Sequence, residues 1–334
     1  MKNIIRFVGL CLSLAFVLQA CDDWTIPENN VIQDLQGTPK SEEYYENLRA
    51  YKKSDHQLAF GWFGFWNGGT GTSARGSLRS VPDSVDIIAL WGNTWRYEEM
   101  NQHRRDDLKY VQEKYGTKVV GTILLGAKGQ YLPEGWQPEG ETEREQWTSY
   151  GRALAQMAID AGLDGMDIDY EPGIGGEPAI GCPRGDDFLA FVEGCAQLLG
   201  PMSGGNKLLI VDGLFSFPAE CDQYFDYFIS QAYGTGGFSS LESRYNSLRN
   251  RIRAEQFIVT ENFESLWKDG GAKFNHPDLG IIPSLLGMAY WVPENCARKG
   301  GCGTYHMEYE YAHNPEYKFL RQAIQIMNPA NSNN

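Results

Sequence analysis

Three acids at alternating positions, Asp167, Asp169 and Glu171, close the run Leu163-Asp164-Gly165-Met166-Asp167-Ile168-Asp169-Tyr170-Glu171-Pro172. Alternation is the period of a β-strand, so on a strand these acids share one face while Met166, Ile168 and Tyr170 share the other. Apolar side chains of that size demand burial, which argues against a solvated acidic strand. Successive acids on one face lie about 6.6 Å apart along the strand. Burial and mutual repulsion both raise a carboxyl pKa, so such a row holds at least one proton near neutral pH. Glu171, last in the row, is then placed to act as a protonated general acid. A Ca2+ or Mg2+ site is the other use for stacked acids, but a single strand rarely completes an oxygen shell. Asp164 falls on the opposite alternation face and reads as structural, and Gly165 reads as a point of close backbone packing.

An acidic strand needs a sheet around it. Apolar, β-branched runs recur at Gln57–Phe65, Asp86–Trp91, Lys118–Leu125, Gly165–Tyr170, Leu208–Asp212, Tyr227–Tyr233, Gln256–Thr260 and Leu285–Trp291. Segments with helical spacing lie between them, including Tyr97–Tyr115, Thr142–Ala161, Asp186–Leu199, Leu241–Arg253 and Glu308–Met327. Strand then helix, repeated about eight times, predicts an α/β fold consisting of a single (β/α)8 TIM barrel. An open doubly wound sheet would carry a Gly-rich phosphate loop after its first strand, and Gly64-Phe65-Trp66-Asn67-Gly68-Gly69 lacks that spacing. In a barrel the working residues stand at the C-terminal strand ends. Trp66, Trp91, Glu171, Asp212, Tyr233, Glu261, Trp291 and Glu294 are expected there.

The net charge of −14 and the lack of a basic run argue against a nucleic-acid partner. Aromatics make up 13%, with nine Trp, and flat indole faces suit the C–H faces of sugars. The five histidines are scattered and no zinc spacing occurs, so neither a metal nor a cofactor is expected. Cys182, Cys195, Cys221, Cys296 and Cys302 leave an odd number, of which Cys296 and Cys302 bracket a loop that closes easily into a disulfide. Residues 1–20 read as a signal peptide, with Lys2 and Arg6 before an uncharged apolar core. Residues 21–55 then form an anchor, a polar tether and a leading helix, 56–328 the catalytic barrel, and 329–334 a disordered tail. The barrel is expected to be a monomer.

Two resemblances follow from these residues. Leu18-Gln19-Ala20-Cys21 resembles the lipobox of bacterial lipoproteins, in which the cysteine is acylated, and Asp22-Asp23 is similar to the surface-export signal of Bacteroidetes lipoproteins. The implied location is the cell surface, on the outer membrane, held through the lipid on Cys21. Asp164, Gly165, Asp167, Asp169 and Glu171 match every fixed position of the Asp-Gly-x-Asp-x-Asp-x-Glu signature, and the chain thereby resembles glycoside hydrolase family 18. Family 18 enzymes use the substrate's own 2-acetamido oxygen as nucleophile. The resemblance implies Glu171 as general acid/base, Asp169 as the group orienting the acetamide, and Asp167 as the residue tuning Asp169. It also implies Tyr233, in Ser230-Gln231-Ala232-Tyr233, as the tyrosine on the acetamido carbonyl. Trp291 becomes the floor beneath the sugar, with Gln231, Trp66, Trp91 and Glu261 as further substrate contacts. A rival scheme makes Glu261, on strand seven, a protein nucleophile, but leaves the three-acid row without a use.

Two branches of the family are open to this chain. Leu124-Leu125-Gly126-Ala127 stands where chitinases show Ser-x-Gly-Gly, and only about 24 residues, Glu261 to Ser284, separate the expected strands seven and eight. That is too short for the α/β domain many chitinases insert there. A shallow cleft and the glycine-rich loop Pro172–Gly185 favour an endo-β-N-acetylglucosaminidase cutting the GlcNAc-β1,4-GlcNAc core of N-glycans. A chitinase-like hydrolase of GlcNAc polymers is the alternative, and a non-catalytic glycan-binding barrel is a third.

Overall fold

A computed structural model describes residues 40–329. The signal segment, Cys21, the tether as far as Pro39 and residues 330–334 lie outside the described residues. A leading helix α1 (Glu42–Lys52) precedes the first strand, capped by the Ser41 hydroxyl, which accepts from Tyr44 N. Its last residue reaches the base of the barrel, where Lys52 Nζ donates to Thr117 Oγ1 at 2.7 Å.

The chain then runs β1 (Leu58–Phe63), β2 (Ile87–Leu90), α2 (Gln102–Tyr110), β3 (Lys118–Leu124) and α3 (Glu143–Asp160). It continues through β4 (Gly165–Tyr170), α4 (Asp186–Ala196), β5 (Leu208–Gly213), β6 (Tyr227–Gln231), α5 (Phe238–Asn246) and β7 (Phe257–Asn262). A short helix α6 (Phe263–Leu266), an antiparallel hairpin β8 (Lys273–His276) and β9 (Gly280–Pro283), and helix α7 (Ser284–Tyr290) lead to β10 (Gly301–Tyr305). Helix α8 (Lys318–Met327) ends the described chain. β1 to β7 and β10 form a closed, all-parallel barrel in the order β1-β10-β7-β6-β5-β4-β3-β2, the (β/α)8 architecture expected from the sequence. No helix among the described residues is long and apolar enough to cross a membrane.

Strand alternation divides the core in two. Phe60, Trp62, Ile87, Ala89, Val120, Ile210, Ile229 and Ile258 fill the barrel interior, while the other face of each strand packs under the helices. The base is pinned by a repeated device. Asp86, Asp164 and Asp226 each stand immediately before an even-numbered strand. Each accepts a backbone N–H from the preceding odd strand: Ala59 at 2.8 Å, Val119 at 3.0 Å and Leu209 at 2.9 Å. Asp164 is therefore structural, as its alternation face implied. Gly165 is the close approach expected of it, since a Cβ there would lie 2.1 Å from Leu208 O.

The expected eighth strand is wrong. Leu285–Trp291 is the apolar helix α7 with its C-cap, and the strand that closes the barrel is Gly301-Cys302-Gly303-Thr304-Tyr305. Length and periodicity do not separate a short buried helix from a buried strand, and glycine lowers strand propensity. Here glycine is required by close packing, because a Cβ on Gly303 would stand 1.9 Å from Phe60 O of β1. The segment between β7 and the closing strand is correspondingly longer than expected, 263–300, yet it holds only α6, a 3-10 turn (Trp267–Asp269), the hairpin and α7. The expected Cys296–Cys302 closure is not formed. All five cysteines among the described residues are free thiols, and Cys302 is fixed within β10, packed outward in the helix-side core. The expected helix Glu308–Met327 is a 3-10 turn over Met307–Ala312 followed by α8, with Pro315 between them.

Gly303→Ala is expected to lower stability by about 1–3 kcal/mol through overpacking, read as a fall in Tm. An unchanged Tm would show that β1 and β10 can move apart at no cost.

Candidate active site

β4 delivers the acids as alternation requires. Asp167 and Asp169 point into the barrel at 0% and 4% exposure, and half-buried Glu171 follows the strand at its C-terminal end. The register sets Asp212 of β5 beside Asp169, also buried, so the interior holds three carboxylates below Glu171. Around them the strands supply donors. Trp62 Nε1 of β1 donates to Asp167 Oδ2 at 2.8 Å and Thr122 Oγ1 of β3 donates to the same oxygen at 2.9 Å. Gln231 Nε2 of β6 donates to Asp212 Oδ2 at 2.7 Å.

These donors do not suffice for three charges. Asp167 Oδ1, Asp169 Oδ1 and Asp212 Oδ1 are each buried without a donor in the protein. Burial pushes Asp167 up to about 6, against the Trp62 and Thr122 donors, which pull it down. Asp169 is held well above the usual range by burial first, then by repulsion from Glu171 and Asp167. Asp212 is likewise held high by burial and by Asp169 and Asp167. The trio is a proton-sharing store, with Asp167 the member most readily ionised. Glu171 is raised by burial and partly drawn back by a hydrogen bond from Gln231, so one amide links the acid to Asp212.

Aromatic rings line the mouth. Tyr305 ends β10 with its ring 6.1 Å from Tyr233, 5.7 Å from Trp91 and 6.1 Å from Trp62. Burial and the neighbouring acids push the Tyr233 phenol far above its usual range, so it remains a hydrogen-bond donor. Tyr233, Gln231 and Trp91 thus gather with the acids as the sequence placed them.

Four residues expected at the mouth do not line it. Trp291 caps α7 and is buried in the helix-side core against Phe257, at 6.3 Å between rings. Its assignment failed with the strand on which it was placed. Exposed Glu294 lines an outer cavity of about 440 Å³ with Phe238, Glu242 and Trp291. Trp66 is 1% exposed and donates from Nε1 to Asp107 Oδ2 at 3.0 Å, a packing role. Glu261 is fully buried and already saturated. It accepts from Gly234 N at 2.8 Å, Asn262 N at 2.7 Å and Ala272 N at 3.5 Å, and from the Ser284 hydroxyl. It ties the loops after β6 and β7 together and has no lone pair left for a sugar. Sequence reading missed Tyr305, hidden in a glycine-rich run, and the donors Trp62 and Thr122, which alternation along β1 and β3 would have pointed inward.

An acid whose pKa is raised by burial, standing above buried carboxylates and ringed by aromatic side chains at the C-terminal end of a (β/α)8 barrel, is an arrangement for glycosidic bonds. Residues 25–326 match the family description "Glycoside hydrolase family 18, BT1044-like". The chain belongs to glycoside hydrolase family 18. It is a glycoside hydrolase, and its solved relatives share its barrel. A structure of a selenomethionine Glu→Gln variant of BT1044 is 30% identical, with a TM-score of 0.75 over 87% of this chain and 94% of that one. Endo-β-N-acetylglucosaminidase F2 of Elizabethkingia meningoseptica is 25% identical over 98% of this chain and all of its own length. The endo-β-N-acetylglucosaminidase of Cordyceps militaris, solved with fucosyl-N-acetylglucosamine-Asn, is 23% identical. It has a TM-score of 0.63 over 87% of this chain and 98% of that one, a likeness of fold.

The acids in this family 18 site carry a pH signature in stability. A carboxyl whose folded pKa lies above its unfolded value keeps protons that the unfolded chain has lost, so stability falls as pH climbs from the unfolded pKa to the folded one. Asp169→Asn removes that burden. Its Tm is expected to exceed that of the parent at pH 8, by a margin that shrinks towards pH 4. A variant less stable than the parent at pH 8 would mean that Asp169 is not held protonated.

Proposed function

We propose that this hydrolase is an endo-β-N-acetylglucosaminidase that cuts the GlcNAc-β1,4-GlcNAc core of N-glycans, with the substrate's acetamido oxygen as nucleophile. The observation that carries this reading is that neither the buried carboxyls below Glu171 nor Glu261 at the end of β7 is free to act as a protein nucleophile. A retaining enzyme with a protein nucleophile sets two carboxyls about 5–5.5 Å apart. Glu261, the strand-seven candidate for that role, is consumed by four donors. Asp167, Asp169 and Asp212 are buried and share protons.

In this mechanism Glu171 gives its proton to the glycosidic oxygen as the bond from C1 to that oxygen breaks. The acetamido carbonyl oxygen attacks C1 from the opposite face and closes an oxazolinium ring. Glu171, now ionised, takes a proton from water, which adds to C1 and reopens the ring with net retention. Asp169 Oδ1, buried and unpartnered, accepts the acetamide N–H. Asp169 takes up negative charge as positive charge develops on the sugar by passing its proton to the Asp167 carboxylate, the most readily ionised of the three acids. Tyr233 donates to the acetamido oxygen, and Tyr305 and Trp91 form the floor that holds the ring. Positioning an internal nucleophile in line supplies much of the acceleration.

The endo-β-N-acetylglucosaminidase assignment is supported by the named activity of the Elizabethkingia relative. Digestion of glycoproteins is expected to leave a single N-acetylglucosamine on the protein. In Glu171→Gln the rate is expected to fall by about 10²–10⁴-fold, the usual worth of a general acid. Mass spectrometry of both products checks this. Cleavage of chitin oligomers with all N-glycans intact would replace the reading with the chitinase-like one.

A further inference from the structure

The site described so far leaves one aromatic group unused. Phe65, two residues past the end of β1, has 52% of its surface exposed, whereas residues 59–63 of that strand are buried. Its ring lies 5.8 Å from Tyr309 and 5.7 Å from His306, and His306 lies 4.3 Å from Tyr305. A continuous line of rings therefore leaves the mouth at Tyr305 and ends on an open face at Phe65. The line is built firmly. His306 Nδ1 is bonded to the fully buried Glu308 at 2.6 Å, and a Cβ on Gly64 would collide with the His306 ring.

Arg75 completes the group. Its guanidinium sits 4.5 Å from the Tyr309 ring and 5.6 Å from that of Phe65, with Nε donating to Glu308 O at 3.2 Å. It takes part in none of the ion pairs among the described residues, and its Nη2 is buried without a partner. In a chain of net charge −14 a half-buried arginine outside every such ion pair, beside an exposed phenylalanine and a tyrosine, sets a cation at an otherwise aromatic face.

The topology says which part of the substrate lies there. In the closed order of strands β10 stands directly across the barrel from β4. With Glu171, after β4, at the glycosidic oxygen and the cleaved sugar on the proposed floor at Tyr305 of β10, the rest of the glycan extends towards β10 and β1. We infer that Phe65, Tyr309 and Arg75 form a subsite for a neutral sugar ring of the glycone, beyond the residue that is cleaved. The ring packs on Phe65 and its hydroxyls accept from Arg75. This inference rests on the proposed function only in taking the glycone to be a branched N-glycan.

Calorimetry on Glu171→Gln with two ligands tests it. One is the released branched glycan ending in a single reducing N-acetylglucosamine, and the other is an N-acetylglucosaminyl-Asn peptide. Adding Phe65→Ala is expected to weaken the released glycan by about tenfold, within the range lost apolar contacts produce in a pocket. The peptide's affinity is expected not to change, and Phe65→Trp, which keeps a flat ring, retains glycan binding. Arg75→Ala weakens the same ligand. An unchanged glycan affinity in Phe65→Ala, or a loss confined to the peptide, overturns the subsite. Failure of the parent enzyme to release any glycan contradicts the proposed function instead, and the binding assay, which needs no turnover, separates the two.

Discussion

Three carboxyl groups packed inside a barrel with too few hydrogen-bond donors to ionise together are the constraint around which this molecule is organised. Asp167, Asp169 and Asp212 are 0%, 4% and 1% exposed, and one oxygen of each is left without a donor. Holding Asp167 up at about 6 from an ordinary value of 3.8 corresponds to roughly 3 kcal/mol against the ionised form. That is a sizeable part of a domain's net stability of about 5–15 kcal/mol. Such a cluster survives only when the surrounding structure over-determines it.

The surroundings do so on two levels. Below the acids, Phe60, Ile87, Val120, Ile210, Ile229 and Ile258 fill the barrel and keep water out, which is the cause of the raised pKa values. Lower still, Asp86, Asp164 and Asp226 clamp neighbouring strands and fix the register that sets Asp169 against Asp212. Above the acids, Gln231 and the rings of Tyr233, Tyr305 and Trp91 turn the store of protons towards a substrate. The same low dielectric that makes the acids costly strengthens their response to a developing positive charge.

Legibility in the sequence followed the physics of each segment. β4 was readable in full because period-two alternation alone assigns Asp167, Asp169 and Glu171 to one face. The barrel was readable because strand and helix alternate in number. β10 was not, because close packing against β1 requires glycine at 303 and erases the apolar signal, while α7 imitates a strand with seven mainly apolar residues. That single exchange carried Trp291 away from the site and hid Tyr305. Glu261 and Trp66 show a different limit. Both occupy the expected strand ends, and only their partners, Ser284 and backbone N–H groups for one and Asp107 for the other, reveal that they serve the fold.

The central claim is that the mouth supplies an acid and no nucleophile, leaving attack to the substrate's acetamide. Rates on a substrate series in which the acetyl methyl at the cleaved sugar carries one, two and three fluorines test it directly, because each fluorine weakens the carbonyl oxygen as a nucleophile. The account predicts that kcat/KM falls steeply along the series, with a loss at the trifluoro member well beyond about tenfold, or 1.4 kcal/mol in the barrier. A rate that stays level across the series would contradict it and return the role of nucleophile to a carboxylate of the protein.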